Sequence, residues 1–145
     1  MDFFSAMDLS ASALTAERTR MNLISSNLAN VNSTRTAEGG PYKRKDAVFA
    51  TTPASPRFSE TLNRFRGNPP TGVEVTQIVE DDSPPRLQYD PNHPDADAKG
   101  FVALPNINVV EEMADMIIAS RAYEANITAA QAAKGMALKT LELGR

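Results

Sequence analysis

The sequence contains no cysteine and no tryptophan, and it has a single histidine, His93. Without cysteine there is no disulfide and no thiolate nucleophile, and one histidine excludes a two-histidine zinc site within one chain. Aromatic residues make up only 6% of the 145 residues, which is few for the core of a compact enzyme. The net charge of -3 gives no general attraction to nucleic acid. The composition therefore argues against an enzyme, a zinc protein and a nucleic-acid-binding protein.

Long hydrophobic runs are also absent. No stretch approaches the roughly 20 apolar residues that span a bilayer, so we expect no direct membrane insertion. Asp2 stands where a cleavable secretion signal carries basic residues. The first helical segment has only two basic residues, Arg18 and Arg20, which is too few for binding to a lipid surface. From the residues alone, the protein is cytoplasmic or is exported without a cleaved signal.

Proline is confined to the middle of the chain, because all ten prolines lie between Pro41 and Pro105. In the first 31 residues the apolar side chains recur seven apart, at Met7, Leu14, Met21 and Leu28. A narrow stripe of this kind is typical of a coiled-coil seam rather than of the broad apolar face of a globular-domain helix. We predict that residues 1–31 form a long N-terminal helix.

The C-terminal segment, 106–145, predicts a second long helix that begins near Asn106 to Asn108, where an asparagine can act as the N-cap. Its many alanines allow neighbouring helices to approach closely. We therefore predict a mainly α fold with paired, coiled-coil-like N- and C-terminal helices. A small irregular or β-hairpin insert, 32–105, separates them.

The insert shows turn signals and short β-prone runs. Gly39, Gly40 and Pro41 together are a strong turn signal. Strands are predicted at 48–52, 73–79, 86–89 and 100–104 from β-branched and alternating residues. We expect 86–89 to pair with 73–79 across the turn at 81–85, and a short helix at 59–66. The basic run at 43–45 is interpreted as a solvated loop.

The best enzymatic candidate is the acidic stretch 90–100, with Asp90, His93, Asp95 and Asp97. Its second half superficially resembles the start of a calcium-binding EF-hand loop, but Lys99 places a cation where a ligand belongs. A turn rich in Asp, Asn and Pro is the ordinary explanation. We expect no catalytic site, no metal and no cofactor, and a metal-dependent hydrolase is kept as a rival hypothesis.

Both ends resemble one known family. Residues 24–32, ISSNLANVN, followed by GPYKRK at 40–45, resemble the amino-terminal signature of bacterial flagellar rod and hook proteins. The segments 108–113, 120–126 and 136–145 resemble the closing helix of the same family. Because the two signatures occur together and in the right order at opposite ends, the resemblance is specific.

The insert resembles that of the shortest members of the family. The segments 87–91 and 97–102 are similar to those of a proximal rod protein, whereas 51–70 departs from the family pattern. The resemblance implies a structural subunit of the proximal rod of the flagellar basal body. Such proteins are exported by the flagellar type III apparatus without signal cleavage, and they polymerise into a helical tube across the periplasm.

That tube transmits torque and encloses the export channel. The implied partners are copies of the chain, other rod proteins, the junction with the inner-membrane ring, and the export apparatus. The end segments are expected to be poorly ordered in the free chain, since a narrow seam cannot repay the cost of ordering them. The alternative function is a cytoplasmic helical-hairpin adaptor or oligomerisation module.

Eleven residues are predicted to make contacts between helices and between subunits. The apolar ones are Leu14, Met21, Leu28, Met113, Tyr123, Ile127 and Leu141. The polar ones, expected to fix the register of the helices, are Asn27, Asn30, Arg121 and Asn126. For Asn27 and Asn30, spacing alone favours solvated side chains, and the alternative is hydrogen bonding across a helix contact.

Overall fold

Two long helices frame the chain, which the computed structural model describes over residues 3–53 and 71–143. Helix α1 spans Phe3–Ala29 and helix α2 spans Val109–Leu143. The strands described between them are β1 (Lys45–Pro53), β2 (Thr71–Glu80), β3 (Arg86–Tyr89) and β4 (Phe101–Leu104). The predicted fold class is confirmed. The short helix predicted at 59–66 lies outside the described residues.

Helix α2 begins at a capped end. The side chain of Asn108 accepts a hydrogen bond from the backbone N–H of Val110 at 3.1 Å, as an N-cap asparagine does. Glu111 and Glu112 follow in the first turn, where the helix dipole favours negative charge. The cap therefore fixes the position of Glu112 at the start of the helix.

The two helices lie side by side and antiparallel, since the end of α1 meets the start of α2 at Asn27 and Glu112. The most deeply buried residues of α1 are Ser10, Ala16, Ile24 and Asn27, and those of α2 are Glu112, Ala119 and Ala133. Apart from Ile24, these side chains are small or polar. Small residues let the helix axes approach closely, but their burial removes little apolar surface from water.

The predicted stripe of α1 is displaced from this buried line. Leu14, Met21 and Leu28 are half-buried, and Met7 is exposed. At 3.6 residues per turn, the stripe lies roughly a quarter turn around the helix from the buried positions. The reason is that small side chains, rather than the large apolar ones, lie where α1 is closest to the rest of the chain.

Strands β1 and β2 form an antiparallel hairpin that packs on α1. Their register runs from Lys45 opposite Glu80 and shifts by one residue after Val48, at a β-bulge. A Cβ atom on Gly72 would lie 3.2 Å from Oγ of Ser12, and that hydroxyl also accepts the backbone N–H of Val73 at 3.2 Å. The missing side chain of Gly72 thus permits the close approach of β2 to α1.

Strand β3 pairs with β4, so the predicted pairing of 86–89 with 73–79 is wrong. The register places Arg86 opposite Leu104 and Tyr89 opposite Phe101. Strand β2 pairs with β1 in a separate two-stranded sheet. The left-handed backbone of Gly100, with φ +81°, turns the chain back towards β3 and makes the local pairing possible.

Candidate assembly surface

A polar junction ties the end of α1 to the start of α2; it consists of Asn27, Tyr42, Arg44, Lys45 and Glu112. Asn27 is completely buried. Its Nδ2 donates to Oε2 of Glu112 at 3.1 Å and to the backbone carbonyl of Lys45 at 2.9 Å. Its Oδ1 accepts the backbone N–H of Lys45 at 2.9 Å and the hydroxyl of Tyr42 at 3.2 Å. Asn27 therefore has its full set of four hydrogen bonds.

Glu112 brings a buried negative charge into the junction. Its side chain is 2% exposed, and its Oε1 accepts a hydrogen bond from Nε of Arg44 at 2.5 Å. Nη1 of the same guanidinium lies 3.2 Å from Asp46, and Nη2 lies 3.8 Å from Asp115. A carboxylate this deeply buried requires a paired cation, so Arg44 and Glu112 form a structural unit.

The charge of Arg44 is held in place by its surroundings. Partial burial lowers the pKa of Arg44, but the hydrogen bond and charge of Glu112, with those of Asp46, outweigh it and leave the pKa raised. The guanidinium therefore stays protonated at every pH at which the protein is folded.

The other two cations of the basic run also have acidic partners. Nζ of Lys43 lies 2.6 Å from Asp82, and Nζ of Lys45 lies 3.2 Å from Glu80. The hydrogen bond with Asp82 raises the pKa of Lys43, and the hydrogen bond with Glu80 raises that of Lys45. Interpreting this run as a solvated loop is thus wrong for Arg44, which is half-buried, and for Lys45, which begins β1.

Sequence reasoning missed Arg44 and Glu112 as site residues, although a signal was present. Glu112 lies seven residues before Ala119 and so belongs to the buried stripe of α2. An acid within a buried stripe indicates a paired partner, because charged residues are almost never fully buried alone. The solvated alternative for Asn27, favoured by spacing, is also wrong, since this residue bonds across the helix contact to Glu112.

A second feature is a group of exposed apolar side chains near the start of α2, which we call the outer face of α2. It consists of Val110, Met113 and Ile117, which share one side of the helix at spacings of three and four, and of Ile118 at the edge of that side. These four side chains are between 54% and 74% exposed. Exposed apolar side chains grouped on one part of a surface are typical of protein–protein interaction sites.

The eleven predicted contact residues occupy three kinds of position. Asn27 is buried, and Met113, Arg121 and Leu141 are exposed. The half-buried ones are Leu14, Met21, Leu28, Asn30, Tyr123, Asn126 and Ile127. The side-chain amides of Asn30 and Asn126 each donate to the backbone carbonyl four residues earlier, at 2.9 Å. Contacts between subunits lie outside a single chain, so these assignments stay predictions.

The acidic stretch is organised as a turn. Oδ1 of Asp97 accepts the backbone N–H groups of Lys99 and Phe101 at 2.8 and 2.9 Å, and Nδ1 of His93 accepts that of Asp95 at 3.1 Å. Within 3–53 and 71–143, no three acidic or histidine side chains are arranged to hold a metal ion. In the same two stretches, neither helix is apolar enough over a sufficient length to cross a membrane.

The N-terminal and C-terminal parts of the chain, which contain the two helices, each match a family of known proteins. The sequence profile of the family described as "Flagella basal body rod protein" matches residues 7–35, which cover most of α1 and the turn after it. The profile described as "Flagellar basal body rod FlgEFG protein C-terminal" matches residues 98–143, which cover β4 and α2. The paired helices thus define a protein of the flagellar basal-body rod class.

Relatives that match over the whole chain identify the family within this class. The chain is 46% identical to the flagellar basal-body rod protein FlgC of Bacillus subtilis (strain 168), with both chains fully covered. It is 40% identical to FlgC of Escherichia coli O157:H7 and 39% identical to FlgC of Salmonella typhimurium, again over the whole of each chain. The chain belongs to the FlgC family of flagellar basal-body rod proteins.

Membership of this family decides between the functions expected from the sequence. The chain is a structural subunit of the flagellar rod, and its place is the flagellar basal body. The resemblance to rod proteins is confirmed, and the full-length match favours this function over a cytoplasmic helical-hairpin adaptor.

Proposed function

We propose that the chain is built into the wall of the rod with the outer face of α2 packed against neighbouring subunits. The observation that carries this proposal is the exposure of Val110, Met113, Ile117 and Ile118 in a helix whose other side is already covered by α1. Burying about four such side chains would remove enough apolar surface from water to stabilise the assembly by several kcal/mol. The neighbours would be copies of this chain and other rod proteins.

The polymer we propose is a helical tube that crosses the periplasm, transmits torque and encloses the export channel. Its axial core would be made of residues 1–31 and 106–145, with 32–105 as the insert. The polar junction supports a role in transmitting torque, because the hydrogen bond between Asn27 and Glu112 resists sliding of α1 along α2. The Arg44–Glu112 pair ties the segment before β1 to the same point of α2. One end of the tube would meet the junction with the inner-membrane ring.

We also propose that assembly and ordering are coupled. Apart from Ile24, the most deeply buried side chains of α1 and α2 are small or polar, so the helical hairpin gains little from its own apolar burial. Packing against neighbouring subunits would supply the remaining apolar burial. A hairpin that folds in the free chain but is only marginally stable, and so unfolds readily before assembly, suits export through the flagellar type III apparatus without signal cleavage.

Among the eleven contact residues, the exposed ones are the most direct candidates for contacts between subunits. Met113 lies within the outer face of α2, and Arg121 is exposed on the same helix. Leu141 is 71% exposed near the end of α2, which is 35 residues long against 27 for α1. We propose that the half-buried residues complete these contacts from the edges of the seam.

Met113 provides the test of this proposal. We expect Met113→Asp to leave the unfolding midpoint of the isolated chain nearly unchanged, because the side chain is already 55% exposed. The same variant should be strongly depleted from purified basal bodies, whereas Met113→Leu should be recovered like the wild type. Ala98→Asp, in the exposed turn of the insert, is the control for the added charge. Normal recovery of Met113→Asp would remove the outer face of α2 from the interface.

We propose, finally, that the chain has no catalytic role. The acidic stretch supports this, since its side chains accept backbone hydrogen bonds that hold a turn. Replacing Asp90, Asp95 and Asp97 by asparagine keeps those acceptors and removes the charges needed for hydrolysis. Together with His93→Gln, these changes should leave motility intact. Loss of motility with normal rod assembly would instead support the hydrolase hypothesis.

A further inference from the structure

A cleft of about 320 Å³ lies between α1 and the β1–β2 hairpin. Most of its lining is apolar and comes from both sides, with Ala13 and Ala16 on the helix and Phe49, Ala50 and Val73 on the strands. Ala16 is almost completely buried at its base. None of the contacts described above for the polar junction or for the outer face of α2 involves this cleft.

One charged side chain, Glu17, also lines the cleft. Its Oε2 atom is buried and has no hydrogen-bond partner among residues 3–53 and 71–143. Arg20, three residues further along α1, lies on the ring of Phe49, with its guanidinium carbon 6.0 Å from the ring centroid. A buried carboxylate oxygen without a partner is unfavourable, so this site is incomplete within the part of the chain that the structure describes.

The lining determines which group would complete it. An anion is excluded by the carboxylate, and a purely apolar group would leave the carboxylate oxygen unpaired. Lysine and arginine have a long aliphatic stem that can pack against Phe49 and Val73, and a cationic end that can reach Glu17. The combination of apolar walls and one unpaired negative charge is therefore complementary to a basic side chain.

We propose that the cleft receives a lysine or arginine side chain of an adjoining rod subunit, whose cation pairs with Oε2 of Glu17. This inference rests on the proposed function, because it requires a neighbour in the rod. It adds a second contact, on the opposite helix from the outer face of α2. Pairing with this buried carboxylate oxygen would give the contact charge specificity that an apolar surface lacks.

Glu17→Gln tests the proposal in two settings, because it keeps the shape of the side chain and removes its charge. In the isolated full-length chain the unfolding midpoint should stay the same or rise, since a neutral amide is buried more easily than an unpaired carboxylate. In purified basal bodies the variant should be recovered at a level at least about tenfold lower than the wild type, as expected when one partner of an interfacial charge pair is removed. Glu74→Gln, an exposed glutamate next to Val73, is the control and should behave like the wild type in both settings.

Two results would overturn the proposal. Wild-type recovery of Glu17→Gln in basal bodies would show that no neighbour uses the carboxylate. A lowered unfolding midpoint of the isolated variant would show that the partner is within the same chain, which also has Arg57, Arg64 and Arg66. Failure of the proposed function gives a different pattern, because Met113→Asp would then be recovered normally whatever happens at Glu17.

Discussion

The Nδ2 atom of Asn27 lies 3.1 Å from Oε2 of Glu112, and this hydrogen bond joins residues 85 positions apart. It connects the last turn of α1 with the first turn of α2 at a point where both side chains are almost completely buried. A polar contact of this kind fixes the relative position of two helices, because sliding them would leave both groups without partners. The contact therefore sets the register of the helical hairpin that the rod subunit is built on.

Replacing Asn27 by aspartate should destabilise the isolated chain. The change places a second carboxylate against Glu112 and removes the two hydrogen bonds that the Asn27 amide donates. We expect a loss of roughly 2–4 kcal/mol in the free energy of unfolding, as for other unpaired buried charges. Urea unfolding, monitored by far-ultraviolet circular dichroism, measures this loss of free energy. Asn22→Asp, on an exposed position of α1, is the control and should have little effect.

A double-mutant cycle on Arg44 and Glu112 should give a clear favourable coupling. We expect about 1.5–3 kcal/mol from Arg44→Met and Glu112→Gln, since the pair is largely shielded from water. The same cycle on Lys43 and Asp82 is the matched comparison and should give a much smaller value, because that pair is exposed to solvent. Equal coupling energies in the two cycles would contradict the account of the polar junction.

Gly100 should tolerate alanine less well than Gly39 does. Both residues have positive φ angles, of 81° and 88°, so the left-handed backbone destabilises an alanine by about 1 kcal/mol at each position. At Gly100 the new Cβ would also lie 3.0 Å from a ring carbon of Tyr89, whereas nothing lies within 4 Å at Gly39. Thermal unfolding of the two variants measures the difference. A smaller loss of thermal stability for Gly100→Ala than for Gly39→Ala would show that the turn before β4 does not depend on this close approach.

The helices could be predicted from the sequence because their signals are local. The absence of proline and glycine from α1 and the cap at Asn108 define long helices without reference to the rest of the chain. The strands were located for the same reason. Their pairing depends on which strands lie next to each other in space, and this is why the sequence led to the wrong partner for β3.

The partners within the polar junction could not be predicted, because they come from distant segments. Asn27 was among the predicted register contacts, but the only sequence signal for Glu112 is its spacing of seven from Ala119, and Arg44 lies in a short basic run. Only the fold brings their side chains to within hydrogen-bonding distance. The buried line of α1 was displaced from the predicted stripe for a related reason, since Ser10 and Ala16 carry no strong hydrophobic signal.

In the rod, we expect neighbouring subunits to cover the outer face of α2. The most direct measurement places a photo-activated cross-linking residue at Ile117, which is 54% exposed, in basal bodies assembled from the full chain. We expect adducts between this position and another rod subunit, with few or none from the same residue placed at Ala98. Basal bodies that contain the modified chain but yield no adduct from position 117 would contradict this expectation.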